Sequence, residues 1–183
     1  MDYNIKSSNL EGVKIIQPKI FEDTRGFFCE MFEKDTFSKL GIDSEFIQVC
    51  ESLSIYKNTL RGIHFQNAPY SQEKIVRCTQ GAVTDVIIDL RRDSKNYKKY
   101  ITLKLSSENR TMVYIPKGFG HAFLTLENNS IVNYMISGKY SPENSKSIRW
   151  NDPEIKINWQ VNEPFLSEKD KNAPLLAESD INY

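Results

Sequence analysis

The strongest constraint on the fold is patterning of strand type, as in the stretch KIVRCTQGAVTDVIIDL at residues 74–90. A period of two is typical of β-strands, whose successive side chains point to opposite faces of a sheet. Gln80-Gly81 divides the stretch, so we predict two strands joined by a tight turn. In the second strand, one face is expected to carry Val83, Asp85, Ile87 and Asp89.

The rest of the chain repeats this pattern of short strands separated by turns. Further strands are predicted in residues 99–106, 111–116, 121–126 and 130–137. Helical signals are few. Residues 34–41 resemble a short helix that stops at Gly41, and Ser167 has capping-box spacing to Asp170. Many short strands with regular turns predict an all-β sandwich or barrel, and a jelly roll would be wide enough to hold a ligand.

Length and charge limit the number of domains and the kinds of partner. At 183 residues, with no linker or repeat, the chain is expected to form a single domain over residues 1–183. Lys plus Arg and Asp plus Glu both number 24, so the formal net charge is zero. A nucleic-acid-binding protein normally needs a basic surface, so no nucleic-acid partner is expected. A local basic cleft for a phosphorylated small molecule remains compatible with this balance.

The N-terminus and the cysteines indicate the compartment. The opening MDYNIKSSNLEG has no apolar signal region, and no apolar run is long enough to cross a membrane. Three cysteines without CxxC spacing favour reduced thiols over a disulfide framework or a zinc site. We therefore expect a soluble cytoplasmic protein with no membrane partner.

The histidines argue against a metal site. A mononuclear site on a β-barrel generally needs two or three imidazoles and a carboxylate. The sequence contains only His64 and His121, with no HxH or HxxxH pair. We therefore expect no metal ligands.

His64 lies within LRGIHFQ, residues 60–66. Strict alternation would place Gly62, His64 and Gln66 on one face, with Arg61 on the other. Two interpretations are open. His64 is either a buried histidine hydrogen-bonded to its neighbours or a proton-transfer group that points into a pocket.

Eight ordered segments bear on this choice. They are DTRGFFCEMF, FIQVCESLS, LRGIHFQ, EKIVRCTQGAVTDVIIDLRRDS, LSSENRTMVYIPKGFGHAFLTL, NYMISGKYSPE, IRWNDPEIKINW and LSEKD. Together they resemble the dTDP-4-dehydrorhamnose 3,5-epimerase family over roughly residues 14–176. The resemblance implies a cupin-type jelly roll that is a homodimer and works without metal or other cofactor.

The same resemblance implies a set of catalytic residues. His64 matches the family's base, Asp170 the carboxylate paired with it, and Tyr134 the proton donor. Lys74 is implied to stabilise the developing oxyanion. In a 4-keto-6-deoxy sugar, C3 and C5 both flank the C4 carbonyl, so inversion needs a base and an acid on opposite faces.

A second set is implied to bind the nucleotide sugar. It consists of Arg25, Glu30, Gln48, Cys50, Arg61, His121, Tyr140 and Lys169. The partner subunit is implied to supply Arg25 and Glu30, which would make the dimer part of the active site.

Several of these residues also have a plain structural interpretation. Asp170 could be only the capping partner of Ser167, and Tyr134 a core aromatic residue. Arg25 could be a solvated turn residue. Phe27, Phe28, Phe32, Trp150 and Trp159 are expected in the core rather than at a base-stacking surface.

The sequence departs from the family at positions implied to recognise substrate. Cys50 replaces an asparagine, and Ser145 stands where the family usually has an acidic residue. The expected reaction is conversion of dTDP-4-dehydro-6-deoxy-D-glucose to dTDP-4-dehydro-L-rhamnose. The alternatives are epimerisation at only C3 or C5 of another nucleotide-4-keto sugar, and a non-catalytic sugar-binding jelly roll.

Overall fold

The structure is a computed structural model that describes residues 3–183. Within that range the strands are β1 Tyr3–Ser7, β2 Lys14–Pro18, β3 Ile20–Asp23, β4 Gly26–Cys29, β5 Phe46–Ser54, β6 Leu60–Gln66, β7 Lys74–Gln80, β8 Ala82–Asp89, β9 Tyr100–Ser106, β10 Met112–Ile115, β11 Phe119–Thr125, β12 Ser130–Ser137 and β13 Ser145–Ser147. The helices are α1 Lys34–Lys39 and α2 Glu168–Lys171, followed by a 3-10 turn at Leu176–Glu178. The prediction of a β protein with a few short helices is confirmed.

The strands form two main antiparallel sheets and a separate hairpin. The first sheet has the order β1-β2-β10-β7-β12-β5, and the second has the order β13-β6-β11-β8-β9. Within residues 3–183, strands β3 and β4 pair only with each other. Neighbours in each sheet are mostly distant in sequence, as in a roll whose chain crosses repeatedly between two sheets.

The turn at Gly81 connects the two sheets, because β7 belongs to the first and β8 to the second. Gly81 has a φ of +70°, and a Cβ built there would lie 2.6 Å from Ser130 Oγ. Glycine meets both demands, since it tolerates positive φ and carries no Cβ. The predicted pair of strands with a tight turn is confirmed.

Apolar residues of both sheets fill part of the space between them. Val83 and Ile87 of β8 pack there with Val76, Phe123 and Val132. The opposite face of β8 packs under the C-terminal segment in a second cluster, which includes Val86, Ile88, Ile148, Trp159 and Leu176. The alternation predicted for β8 is therefore confirmed, and it sends Asp85 to the inter-sheet side.

The outer face of the first sheet is covered in part by α1. Phe37 of this helix is fully buried against Ile16, Ile75 and Met112. Glu33 caps the helix by accepting from the backbone N–H groups of its first turn, which satisfies otherwise unpaired donors. The predicted short helix is confirmed, and none of the helices in residues 3–183 is long and apolar enough to cross a bilayer.

The rest of the outer face exposes apolar side chains. Val49 of the edge strand β5 is 66% exposed, and Phe27 and Phe28 of the separate hairpin are 53% and 59% exposed. The expectation that these two phenylalanines lie in the core is wrong for a single chain. The hairpin lies outside both main sheets, and the Arg110 guanidinium, 3.7 Å from the Phe27 ring centroid, covers these rings only in part.

Candidate active site

Two adjoining hollows lie between the two sheets beside the apolar cluster, and we call them the inner and outer lobes of one cavity because they share lining residues. The inner lobe encloses about 150 Å³ and is lined by Ser52, Arg61, His64, Lys74, His121, Phe123 and Tyr134. The outer lobe, of about 290 Å³, shares His64, Lys74 and Tyr134 and adds Gln48, Cys50, Phe65, Gln66, Gln72, Ile136, Tyr140, Ser145 and Lys169. A concave site with a few convergent polar groups is the usual form of a ligand site.

Strand β6 carries both Arg61 and His64 into this cavity, which strict alternation did not predict. The pairing with β11 shifts register, because His121 is opposite His64 while Phe123 is opposite Arg61. Three residue steps on β6 therefore match two on β11, as in a β-bulge. The prediction that Arg61 faces away from His64 is wrong for this reason.

Gly62 allows the two strands to approach at the bulge. Its φ is +121°, and a Cβ built there would lie 2.5 Å from Ala122 Cβ and 2.8 Å from Ala122 Cα. Because any larger residue would push β6 away from β11, Gly62 controls the position of His64.

His64 is held by a buried carboxylate. His64 Nε2 lies 2.6 Å from Asp170 Oδ1, and their side chains are 39% and 4% exposed. Burial alone would raise the pKa of Asp170, but the hydrogen bond and charge of His64 hold it below its ordinary value. An ionised Asp170 favours the tautomer with hydrogen on Nε2, which leaves the Nδ1 lone pair available as a base.

Asp170 is both a catalytic candidate and part of a helix cap. Its backbone N–H donates to Ser167 Oγ over 3.1 Å, so the predicted N-cap exists. Its carboxylate does not complete a capping box but reaches 106 residues back in sequence to His64. The short helix α2 thus presents Asp170 to the second sheet.

Tyr134 reaches the same cavity from the first sheet. It lies on β12 opposite Cys50 of β5, and it lines both lobes together with His64. Burial raises the pKa of its phenol above the ordinary value, Cys50 adds to this rise, and Arg61 opposes it. The phenol is therefore protonated at neutral pH and can donate a proton.

Lys74 is a cation with no fixed partner. Its Nζ makes no hydrogen bond or ion pair with any other residue in the described range 3–183, although Lys74 lines both lobes. Burial lowers its pKa to about 8, while Asp85 and then Cys50 oppose the shift. An ammonium left free in a cavity is available to a negatively charged oxygen of a ligand.

His121 has its own buried carboxylate, which the sequence analysis did not identify. His121 Nε2 lies 2.7 Å from Asp85 Oδ2, and Asp85 is fully buried. The signal was present in the sequence, since Asp85 is an acidic residue between Val83 and Ile87 on the inward face of β8. Its partner could not be inferred because the β8–β11 pairing was unknown.

The remaining predicted binding residues divide into two groups. Gln48, Cys50, Tyr140 and Lys169 line the outer lobe, as does Ser145. The structure therefore brings together the predicted residues that lie after position 45.

Arg25 and Glu30 do not join this cavity within one chain. Arg25 extends from the separate hairpin into solvent and pairs with Asp23 over 2.6 Å. Glu30 accepts a hydrogen bond from Tyr3 over 3.3 Å. Their implied contribution to a partner's site stays a prediction.

No group of three or more His, Cys, Asp and Glu side chains in residues 3–183 is arranged to hold a metal ion. Both imidazoles instead use Nε2 to bond an aspartate. All three cysteines are free thiols.

Comparison with known proteins gives a consistent result. The sequence model of the dTDP-4-dehydrorhamnose 3,5-epimerase family matches residues 7–178. A dTDP-4-dehydrorhamnose 3,5-epimerase of Sinorhizobium fredii is 40% identical over 97% of this chain and 92% of that protein.

Solved structures agree with the sequence match. The dTDP-4-dehydrorhamnose 3,5-epimerase of Bacillus anthracis, with TDP and PPi bound, superimposes with a TM-score of 0.94 at 39% identity, covering 96% of this chain and 100% of that one. The dTDP-6-deoxy-D-glucose-3,5-epimerase of Legionella pneumophila, in complex with dTDP-4-keto-L-rhamnose, gives 0.93 at 38% identity, covering 98% and 95%. The predicted cupin-type jelly roll is confirmed, and the chain belongs to the dTDP-4-dehydrorhamnose 3,5-epimerase family.

Proposed function

We propose that this epimerase inverts C3 and C5 of dTDP-4-dehydro-6-deoxy-D-glucose, with His64 as base and Tyr134 as acid. The observation that carries the proposal is the arrangement of the cavity. The His64–Asp170 pair enters from the second sheet, and the Tyr134 phenol enters from the first. Two proton-transfer groups on facing sheets can reach opposite faces of a flat intermediate between them.

The residues suggest the following order of proton transfers. Nδ1 of His64 takes a proton from C3 or C5, and the C–H electron pair moves to O4 to form an enolate. The Lys74 ammonium stabilises this oxyanion. Tyr134 then protonates the same carbon from the opposite face. His64 returns its extra proton to solvent and the phenolate regains one, so the enzyme is restored.

The outer lobe is suited to the nucleotide part of the substrate. Tyr140 offers an exposed ring for stacking, and Lys169 a charge for phosphate. Arg61 lies nearer the chemistry, where its Nε and Nη2 donate to Ser54 Oγ and the Leu53 carbonyl over 3.1 and 2.9 Å. These bonds would fix the guanidinium for contact with a diphosphate.

The active form is proposed to be a cytoplasmic homodimer that shares residues between its sites. Val49 on the edge strand and Phe27 and Phe28 on the hairpin form exposed apolar surface, which isolated domains seldom leave uncovered. Arg25 lies on that same hairpin, so a partner docked there would receive its guanidinium near its own cavity.

Deuterium incorporation tests the proposal and its main alternative. The enzyme is incubated in D2O with dTDP-, CDP- and GDP-linked 4-keto-6-deoxy sugars, and deuterium is counted at C3 and C5. We expect exchange at both carbons of the dTDP sugar. Exchange at one carbon, or preference for another nucleotide, would support the second candidate, which the Cys50 and Ser145 departures favour. Binding without any exchange would contradict an enzymatic role.

A further inference from the structure

The two histidines form matching pairs side by side. His64 and His121 are direct partners across β6 and β11, and each bonds a buried aspartate through Nε2. The proposed chemistry uses the first pair, and His121 is implied to bind the substrate, which leaves Asp85 without an assigned task.

Only one of the two carboxylate oxygens of Asp85 takes part in the hydrogen bond with His121. Its Oδ2 bonds His121, while its Oδ1 is buried without a hydrogen-bond partner in residues 3–183. A buried carboxylate with one free oxygen is costly unless a positive charge lies near it. Lys74 lines the inner lobe together with His121 and has no partner of its own among residues 3–183, so we assign that charge to its ammonium. Asp85 is also the group that most opposes the lowering of the Lys74 pKa by burial.

Asp85 does not itself line the cavity but bonds His121, which does. Neither lobe includes an Asp or Glu of the described chain, and Asp170 is engaged with His64. The titratable and charged groups that face Lys74 are Cys50 on β5, Arg61 and His64 on β6, Asp85 on β8, His121 on β11 and Tyr134 on β12, with Tyr140 and Lys169 in the outer lobe.

We propose that Asp85 is a positioning residue for the reaction, which orients His121 with one carboxylate oxygen and keeps the Lys74 ammonium charged with the other. The inference rests on the proposed function, since it assumes that Lys74 stabilises the enolate. An uncharged lysine would offer that oxyanion only a weak neutral donor, so turnover would fall although substrate still bound.

Asp85→Asn separates the charge from the hydrogen bond. The amide oxygen can still accept from His121 Nε2–H, but the negative charge near Lys74 is gone. The alkaline limb of the kcat–pH profile should then move about one unit to lower pH, because the charge that most opposes the lowering of the Lys74 pKa by burial is gone. KM should change less than about twofold, since the effect falls on the transition state.

Asp89→Asn is the matched control. Asp89 lies on the same strand and is equally buried, but it bonds Arg91 and Ser94 rather than cavity residues. Its loss should lower stability and leave the alkaline limb in the wild-type position. Asp85→Ala is a second variant with space for a small anion, and added formate should return its alkaline limb toward that of the wild type.

A titration of Lys74 Nζ by NMR, assigned with Lys74→Arg, measures the same effect without substrate. We expect a lower pKa in Asp85→Asn than in the wild type. If the wild type shows no exchange with any nucleotide sugar, the proposed function fails while this titration still reports on Asp85. An unmoved alkaline limb in active Asp85→Asn, or an unchanged Lys74 titration in either Asp85 variant, would overturn the inference.

Discussion

His64 Nε2 and Asp170 Oδ1 lie 2.6 Å apart although 106 residues separate them in the chain. The pair joins a strand of the second sheet to a four-residue helix near the C-terminus. Its geometry fixes one imidazole tautomer and leaves Nδ1 free.

Asp170→Asn should lower kcat about 10²- to 10⁴-fold, because an amide cannot stabilise the imidazolium formed when His64 takes a proton. KM should change little, since Asp170 does not line the cavity. Steady-state kinetics of the purified variant measures both. A variant with wild-type kcat would contradict a base supported by Asp170.

Ser167→Ala is the control for the capping role of the same helix. Loss of the Ser167 Oγ acceptor should lower the free energy of unfolding by about 1 kcal/mol. The effect on kcat should be much smaller than that of Asp170→Asn. If the two variants lose activity equally, Asp170 acts through the helix rather than through His64.

Lys74→Met should stabilise the protein at pH 7 while it abolishes turnover. Burial lowers the pKa of Lys74 to about 8 from an ordinary value of 10.5, so the charged form costs folding free energy below pH 8. Removing this charge should raise the free energy of unfolding by about 1–3 kcal/mol.

The difference in unfolding free energy between Lys74→Met and the wild type depends on pH because of the same lowered pKa of Lys74. Between pH 8 and 10.5 the unfolded chain binds a proton at Lys74 that the folded chain does not, so wild-type stability rises with pH relative to Lys74→Met. Denaturant unfolding of both proteins at pH 7, 9 and 10.5 measures their difference in unfolding free energy, which should become smaller as the pH rises. A less stable Lys74→Met at pH 7, or a difference in unfolding free energy that widens with pH, would contradict an ammonium whose desolvation Asp85 offsets only in part.

Much of this arrangement could be predicted from the sequence, and the failures have physical causes. The strand pattern predicted which β8 residues share a face, because β8 pairs with β11 and β9 without a register shift and its side chains alternate regularly. It failed at Arg61, where the bulge beside Gly62 changes which residues share a face. A bulge depends on the partner strand, and the partner of β6 is far away in sequence.

The environment of single side chains was harder to predict. Phenylalanine is typical of protein cores, but Phe27 and Phe28 are exposed because their hairpin joins neither main sheet. The role of Asp85 depends on β11 and β7, from which His121 and Lys74 approach it. Resemblance supplied what patterning could not, since it placed His64, Lys74, Tyr134 and Asp170 in one site.

Co-expression of Arg25→Ala and His64→Ala chains tests the shared site. Each homodimer should have little activity, because one lacks a substrate contact and the other lacks the base. If Arg25 serves the partner's cavity, a mixed dimer keeps one intact site, so an equal mixture should recover about a quarter of wild-type activity. No recovery in dimers shown to be mixed, or a fully active monomer in sedimentation, would contradict the shared site.

Cys50→Asn tests whether the thiol opposite Tyr134 alters substrate recognition. A side-chain amide supplies a donor and an acceptor that a thiol largely lacks, so KM for the dTDP sugar should fall about fivefold to tenfold, as expected for one added hydrogen bond. Cys50→Ala is the control for simple loss of the thiol. Equal KM values in the Asn and Ala variants would show that position 50 does not contact the substrate.

The most direct test of the central claim compares exchange with inversion in Tyr134→Phe. This variant loses the phenolic proton but keeps the ring, so the His64 enolate can form and be reprotonated from its original face. In D2O, Tyr134→Phe should incorporate deuterium faster than it inverts configuration, whereas His64→Ala should lose exchange and inversion together. Equal loss of both processes in the two variants would contradict the assignment of His64 and Tyr134 as opposite-face base and acid.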